Sequence, residues 1–323
     1  MTLSLGLAIF LAGWLLGTML GQHQSVAASV TAPPVVPDAQ NPAAPPPIAA
    51  APTSLPAAMV WDEARVRGHV QYLAGTIGPR PTGSEAEAQA GDYLYDKLTA
   101  FGYKVDRQPV RLWNGKSSEN LIATKRGDAK LLVIGAHYDS VAASPGANDN
   151  ASGAAVMLEL ARLLIREKNT PTIKFVAFGA EEGRYTNGKS VKGTGRTGSR
   201  AYVQSLNPAE RKSIIAMINM DMVGAGSDTL EIGDLSTKGQ PSSRTCLNLA
   251  TTLGVSCEYD QFGGKSDYAP FHDAGIPIIC FAWGEDRACN HKSGDTPAHV
   301  DCEKAKAVFD VIMQYVKSLQ PAA

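Results

Sequence analysis

The chain has 323 residues with 30 Lys and Arg against 31 Asp and Glu, giving a formal charge of −1 and a pI near 6.6. That balance excludes a surface built to hold nucleic acid, which needs a concentration of basic charge. No pattern of internal repeats is evident.

From the N-terminus, Thr2–Leu20 carries no charged side chain and is almost wholly apolar. It is long for the core of a signal peptide and short for a membrane span, and Val26-Ala27-Ala28 supplies small residues suited to cleavage. Residues 1–28 therefore read either as an export signal or as a retained N-terminal membrane anchor. Residues 31–58 hold nine prolines and nine alanines among 28 residues. Such a stretch lacks the large side chains of a core and favours an extended spacer. The segment 29–58 is read as a linker and 59–323 as the catalytic domain.

In the body, Asp62 is a candidate N-cap for a helix reaching about Ala74, and Ser84 with Glu87 makes a capping box opening a helix to Phe101. Strands are expected around 103–112, 119–125 and 131–136. Ser152 begins a helix in which Val156, Leu160, Leu163 and Leu164 recur at helical spacing. Further strands are expected at 173–178, 214–219, 228–232 and 277–283, and helices at 199–206, 240–253, 267–273 and 301–318. Strands alternating with helices predict an α/β fold of three layers, α/β/α, around a central sheet.

Three polar segments follow strand ends: His137-Tyr138-Asp139, Glu181-Glu182 and Asn219-Met220-Asp221. Asn148-Asp149-Asn150 precedes a helix, and His291 stands as a fifth element. In open α/β sheets the crevice outside the carboxyl ends of the strands is where ligands bind. Asp139, Asp149, Glu181, Glu182 and Asp221 would crowd it. Two like charges about 4 Å apart repel by about 4 kcal/mol at an effective dielectric near 20, so such a cluster must take up protons or cations. Two neutral imidazoles among the ligands favour zinc over magnesium or calcium, which prefer oxygen alone. The charges of Asp149, Glu182 and Asp221, with a bridging hydroxide, balance two zinc ions. Glu181 is then free to act as general base, and Asp139 is placed to accept the second ring N–H of His137 and fix its tautomer.

These residues resemble the co-catalytic di-zinc aminopeptidases, including the secreted bacterial leucyl-type enzymes. The matching segments are His137-Tyr138-Asp139, Asn148-Asp149-Asn150-Ala151-Ser152-Gly153, Gly179-Ala180-Glu181-Glu182, Asn219-Met220-Asp221-Met222 and His291 with Asp295-Thr296. Gly198-Ser199-Arg200-Ala201-Tyr202 and Ser266-Asp267-Tyr268-Ala269-Pro270-Phe271 match too. The resemblance spans roughly residues 60–318 and implies the zinc exopeptidase fold with a mixed, mostly parallel sheet. It implies that His137, Asp149 and Asp221 bind one zinc, that Asp149, Glu182 and His291 bind the other, and that Glu181 is the base. The implied activity is removal of N-terminal residues from peptides. A carboxypeptidase-type relative keeps the same ligands and stays open. A glutaminyl cyclase-like enzyme fits the Asn-Asp-Asn-Ala-Ser-Gly string less well, and a non-catalytic binding module would have lost ligands or Glu181.

The chain departs from this pattern in three places. Gly183–Thr197 is about nine residues longer than such enzymes lead one to expect, and Gly183–Arg200 carries five basic residues, five glycines and no acid. It reads as a lid favouring acidic or extended substrates, or as a solvated loop. Asn290 stands where many relatives have an aromatic residue, and Tyr268 where a histidine is common. Export would permit disulfides among the five cysteines, with Cys289–Cys302 bracing the His291 loop, Cys246–Cys257 tying a helix to a strand and Cys280 left as a buried thiol. Trp113 and Trp283 are read as packing residues, with walls of the substrate pocket as the alternative, and His272 and His299 as surface or core residues, with a place near the site as theirs.

Overall fold

The structure, a computed structural model, describes residues 60–320 apart from positions 169, 184, 187, 188 and 285. The expected leader and linker lie outside the described residues. No helix among the described residues is long and apolar enough to cross a membrane.

Helices α1 (Glu63–Val70) and α2 (Glu85–Ala100) open the domain. Asp62 and Ser84 cap them, their side chains accepting from Arg65 N and Glu87 N. A wider turn, Gln71–Ile77, continues α1. Strands β1 (Val105–Arg111), β2 (Ser117–Lys125) and β3 (Asp128–His137) follow, then α3 (Gly153–Leu164) and β4 (Pro171–Phe178). The two short strands β5 (Tyr185–Thr186) and β6 (Lys189–Ser190) pair within the long insertion. Next come α4 (Thr197–Ser205), α5 (Pro208–Ser213), β7 (Ile214–Met220), β8 (Leu230–Asp234) and α6 (Pro241–Thr252). The chain closes with β9 (Cys257–Gln261), α7 (Tyr268–Asp273), β10 (Ile278–Ala282) and α8 (Cys302–Ser318). The insertion hairpin and α5 are additions to the sequence expectation.

Eight strands form one sheet in the order β1-β2-β4-β3-β7-β10-β8-β9. The centre, β4-β3-β7-β10, is parallel, so the carboxyl ends of four strands open on the same edge. Outside it β2 and β8 run antiparallel to their inner neighbours, which makes the sheet mixed as expected. Because successive side chains on a strand point to opposite faces, the runs in β3, β4 and β7 supply two cores at once. Leu132, Ile134, Phe175 and Ile218 pack under α1, α2, α3, α6 and α8. Leu131, Val133, Val176 and Met217 pack with Tyr202 of α4 and Phe271 of α7 on the other face. Such continuous apolar runs are what strands buried on both faces require.

The five cysteines are free thiols, which corrects the expected disulfides. Cys257 Sγ lies against Leu247 O (3.8 Å) and Thr251 Oγ1 (3.6 Å) rather than on Cys246, which is sealed in the core. Cys302 is buried at the start of α8, while Cys289 faces Asp286 and His299. Cys280 is a buried thiol as expected. Trp283 packs as expected, its ring N–H donating to Lys304 O at 3.1 Å, whereas Trp113 is exposed.

One buried base makes the fold sensitive to acid. His69 in α1 is 6% exposed, with Nδ1 2.7 Å from Tyr93 Oη. Burial, helped by Lys97, holds its pKa down at about 4. The unfolded chain takes up this proton near pH 6.5, the folded chain near 4, so the folded state loses stability as pH falls through that window and no further below it. The full effect is at most about 3 kcal/mol. Between pH 7 and 4, chemical denaturation should cost the wild type that much more stability than His69→Phe; parallel profiles would remove His69 as the cause.

Candidate metal centre

Every expected ligand lies at a strand end or in a loop that meets the open edge of the parallel sheet. His137 is the last residue of β3, Glu181 and Glu182 follow β4, Asp221 follows β7, and His291 lies in the loop after β10. Asp149 stands in the irregular turn before α3, where the Asp149–Asn150 peptide is cis.

Asp149 is the centre of the arrangement. Its Oδ1 is 3.3 Å from His137 Nε2 and its Oδ2 is 3.1 Å from His291 Nε2. Asp221 Oδ1 stands 3.4 Å from the same nitrogen of His137, and Glu182 Oε2 3.1 Å from that of His291. Two groups result, His137 with Asp149 and Asp221, and Asp149 with Glu182 and His291. Within each, one atom from every residue lies within 4.8 Å of the others. Glu182 Oε1 and Asp221 Oδ1 are buried without a hydrogen-bond partner. Buried carboxylate oxygens in that state are costly unless a cation completes them. The donor set of imidazole and carboxylate fits zinc.

Charge in the cluster is strongly coupled. Burial alone would lower the pKa of His137, yet Asp221, Asp139 and Asp149 hold it well above the usual imidazole range. His291 behaves alike, its carboxylate neighbours Asp149 and Glu182 overcoming burial and raising it to about 10. Asp149 is held low, burial being outweighed by the two imidazoles. Burial, reinforced by Asp149, raises Glu182 to about 7. Glu181 is also raised well above the carboxylate range, by burial first; His137 opposes this and Asp267 adds to it.

Asp139 does more than was expected of it. His137 Nδ1 lies 3.3 Å from its carbonyl oxygen and 3.4 Å from Oδ1. The carboxylate also accepts Glu181 N (3.0 Å), Glu182 N (3.2 Å) and Thr82 Oγ1 (2.7 Å). It thus ties the end of β3 to the Glu-Glu turn. Glu87, expected only to cap α2, reaches the same turn and accepts Ala180 N at 3.0 Å. The insertion returns there too: Arg196 N donates to Glu181 O (2.6 Å) and Thr197 N to Ala180 O (2.9 Å).

Arg80 carried no sequence signal, and the other supports were singled out in the sequence without their contacts. Arg80 is fully buried, and its guanidinium donates to the carbonyls of Leu73, Gly78, Tyr138, Pro145 and Gly146. It holds together the two backbone stretches that lead into Asp139 and Asp149. Asp295 accepts Asn148 N (2.6 Å) and Asp149 N (3.1 Å). The asparagines flanking Asp149 hold the loop after β7: Asn148 Oδ1 accepts Gly224 N and Ala225 N, and Asn150 Nδ2 donates to Met220 O. Ser152 makes no helix cap; its hydroxyl donates to Asn148 O (2.7 Å) and accepts Val223 N (3.1 Å). Asn290 Nδ2 donates to Asp149 Oδ2 at 2.9 Å, so its amide holds one oxygen of the central carboxylate. Tyr268 is buried and its hydroxyl accepts Lys265 N.

Ala180, Met222 and His291 have φ of +56°, +57° and +58°. Non-glycine residues rarely occupy this left-handed region, and three of them flank or form the site. The ligands and Glu181 border a cavity of about 530 Å³, walled also by Met222, Phe262, Tyr268 and Phe281.

Similarity to known proteins agrees with this geometry. The chain is 34% identical over 215 residues to aminopeptidase YwaD of Bacillus subtilis, covering 63% of this chain and 45% of that one. It is 35% identical over 247 residues to leupeptin-inactivating enzyme 1 of Streptomyces exfoliatus, covering 73% and 52%. The chain thus spans about half the length of these relatives. Its fold matches that of BSAP, a zinc aminopeptidase from Bacillus subtilis, with a TM-score of 0.71 at 20% identity, over 82% of this chain and 97% of that one. The model of peptidase family M28 matches residues 120–316, a range that contains all five expected ligands and Glu181, and the chain belongs to that family.

Proposed function

We propose that this chain is a zinc-dependent aminopeptidase that holds two zinc ions and hydrolyses N-terminal residues from peptides. The observation that carries the reading is Asp149, whose two oxygens face His137 and His291 across one cavity. His137, Asp149 and Asp221 would hold one ion, and Asp149, Glu182 and His291 the other. When bound, such a pair polarises the scissile carbonyl and lowers the pKa of the attacking water.

Glu181 takes the proton from that water and returns it to the leaving amine. Burial makes it hold a proton more tightly than a carboxylate in water, which suits a base working near neutral pH. Asp139 is a positioning residue, fixing both the His137 ring and the backbone of Glu181 and Glu182. The acidic lining attracts the free α-ammonium of a peptide, and the aromatic wall of Phe262, Tyr268 and Phe281 accommodates an apolar side chain. Residues 1–28 direct export, either cleaved or retained as a membrane anchor.

The full chain should cleave leucine p-nitroanilide but not its N-acetylated form, and a zinc chelator should abolish cleavage. Cleavage of both substrates, or cleavage that survives chelation, would refute the reading. Turnover of N-terminal glutaminyl peptides by cyclisation instead would assign the site to that chemistry.

Glu181→Gln should lower kcat by about 10²–10⁴ at unchanged zinc content. Near-normal turnover would take the base role from Glu181. Asp295→Asn puts an amide where two backbone N–H groups point. It should weaken zinc binding by about 10–100-fold while excess zinc restores turnover; unchanged affinity would show that the Asp149 loop holds its shape alone.

A further inference from the structure

A second cluster of metal-binding side chains, sharing no residue with the centre above, lies in the segment that follows β10. Asp286, Cys289 and His299 each offer one ligand atom within 4.8 Å of the other two. Asp286 is 7% exposed, and its Oδ2 accepts His299 Nε2 at 2.5 Å. Its other oxygen accepts Cys289 N (3.3 Å), and Asn148 Nδ2 approaches Oδ2 at 3.4 Å, so the carboxylate is held in orientation from two sides. A Cβ built on Gly294 would stand 3.3 Å from Cys289 Sγ, which places the thiol against the loop.

We propose that these three residues form a further zinc site, separate from the catalytic pair. A soft thiolate beside an imidazole and a carboxylate selects zinc over magnesium or calcium. Tetrahedral zinc with bonds of about 2.0–2.3 Å sets its ligand atoms about 3.5 Å apart. The carboxylate and imidazole would therefore open by about 1 Å from their present contact, and His299, 30% exposed, has room to move. The fourth position is left to water.

The site explains how the loop carrying His291 is braced with its cysteines free. His291 stands between Cys289 and His299 in sequence, so an ion on these residues cross-links both sides of it. Asp286 also borders the catalytic cavity and contacts Asn148, which links the brace to the loop of Asp149. The alternative is an Asp286–His299 ion pair with an uninvolved thiol nearby.

Cobalt distinguishes the two, because a thiolate bound to Co²⁺ gives a near-ultraviolet charge-transfer band that nitrogen and oxygen ligands do not. The metal-depleted full chain titrated with Co²⁺ should show this band. Cys289→Ser should abolish it, and His299→Gln should abolish it or shift it to higher cobalt concentration. His291→Ala should keep it, since the proposed site does not depend on the catalytic pair. No band in the wild type, a band that survives Cys289→Ser, or one that is indifferent to His299→Gln would overturn the site, whatever the peptidase assay shows.

Discussion

A carboxylate whose two oxygens must face different imidazoles cannot be left to rotate, and much of the molecule acts to hold Asp149 in that pose. Asp295 takes the backbone N–H groups of Asn148 and Asp149, and Asn290 takes one of the carboxylate oxygens. Asn148 and Asn150 bond the strand end and loop that carry Asp221, so the neighbours of the carboxylate set the position of a second ligand. Arg80 closes the frame from beneath, its guanidinium spanning the carbonyls of Tyr138, Pro145 and Gly146. Most donors and acceptors in this frame are buried, Asn290 and Pro145 being half-buried, and a buried unmet hydrogen bond costs about 1–3 kcal/mol. The geometry is therefore cooperative: moving one member leaves others unsatisfied.

The parallel centre of the sheet explains why such distant residues meet. Of the four strand ends opening on one edge, those of β3, β4 and β7 deliver His137, Glu181, Glu182 and Asp221 to the same crevice, and the loop after β10 adds His291. Left-handed backbone at Ala180, Met222 and His291 then turns the chain sharply where the ligands are needed. Strain of this kind costs about 1–3 kcal/mol per residue and persists only where the surroundings fix it. Here hydrogen bonds from Ala180 N to Glu87 and from Met222 N to Asn150 supply part of that fixing.

The fold, and the side chains that the candidate site brings together, were largely legible in the sequence because both are written locally. Apolar runs mark β3, β4 and β7, Asp62 and Ser84 mark helix starts, and three of the polar motifs follow their strands directly. What escaped was long-range. Arg80, not singled out, contacts a carbonyl 66 residues away, and Asp295, matched only as a motif residue, accepts a backbone amide 147 residues away. Such pairings leave no periodic or compositional trace. Glu87 shows how a correct local signal can be incomplete: its N–H is capped by Ser84 as the motif predicts, while its carboxylate leaves the helix for Ser118 and Ala180. The cysteine spacing misled, because proximity in sequence did not place Cys289 against Cys302 or Cys246 against Cys257.

Anomalous diffraction at the zinc edge from crystals of the zinc-loaded protein tests the proposed bridging role of Asp149 most directly. Two peaks about 3.5–4 Å apart, one on each side of the Asp149 carboxylate, are expected. A single peak between His137 and His291, or two peaks of which only one is in contact with Asp149, would contradict it.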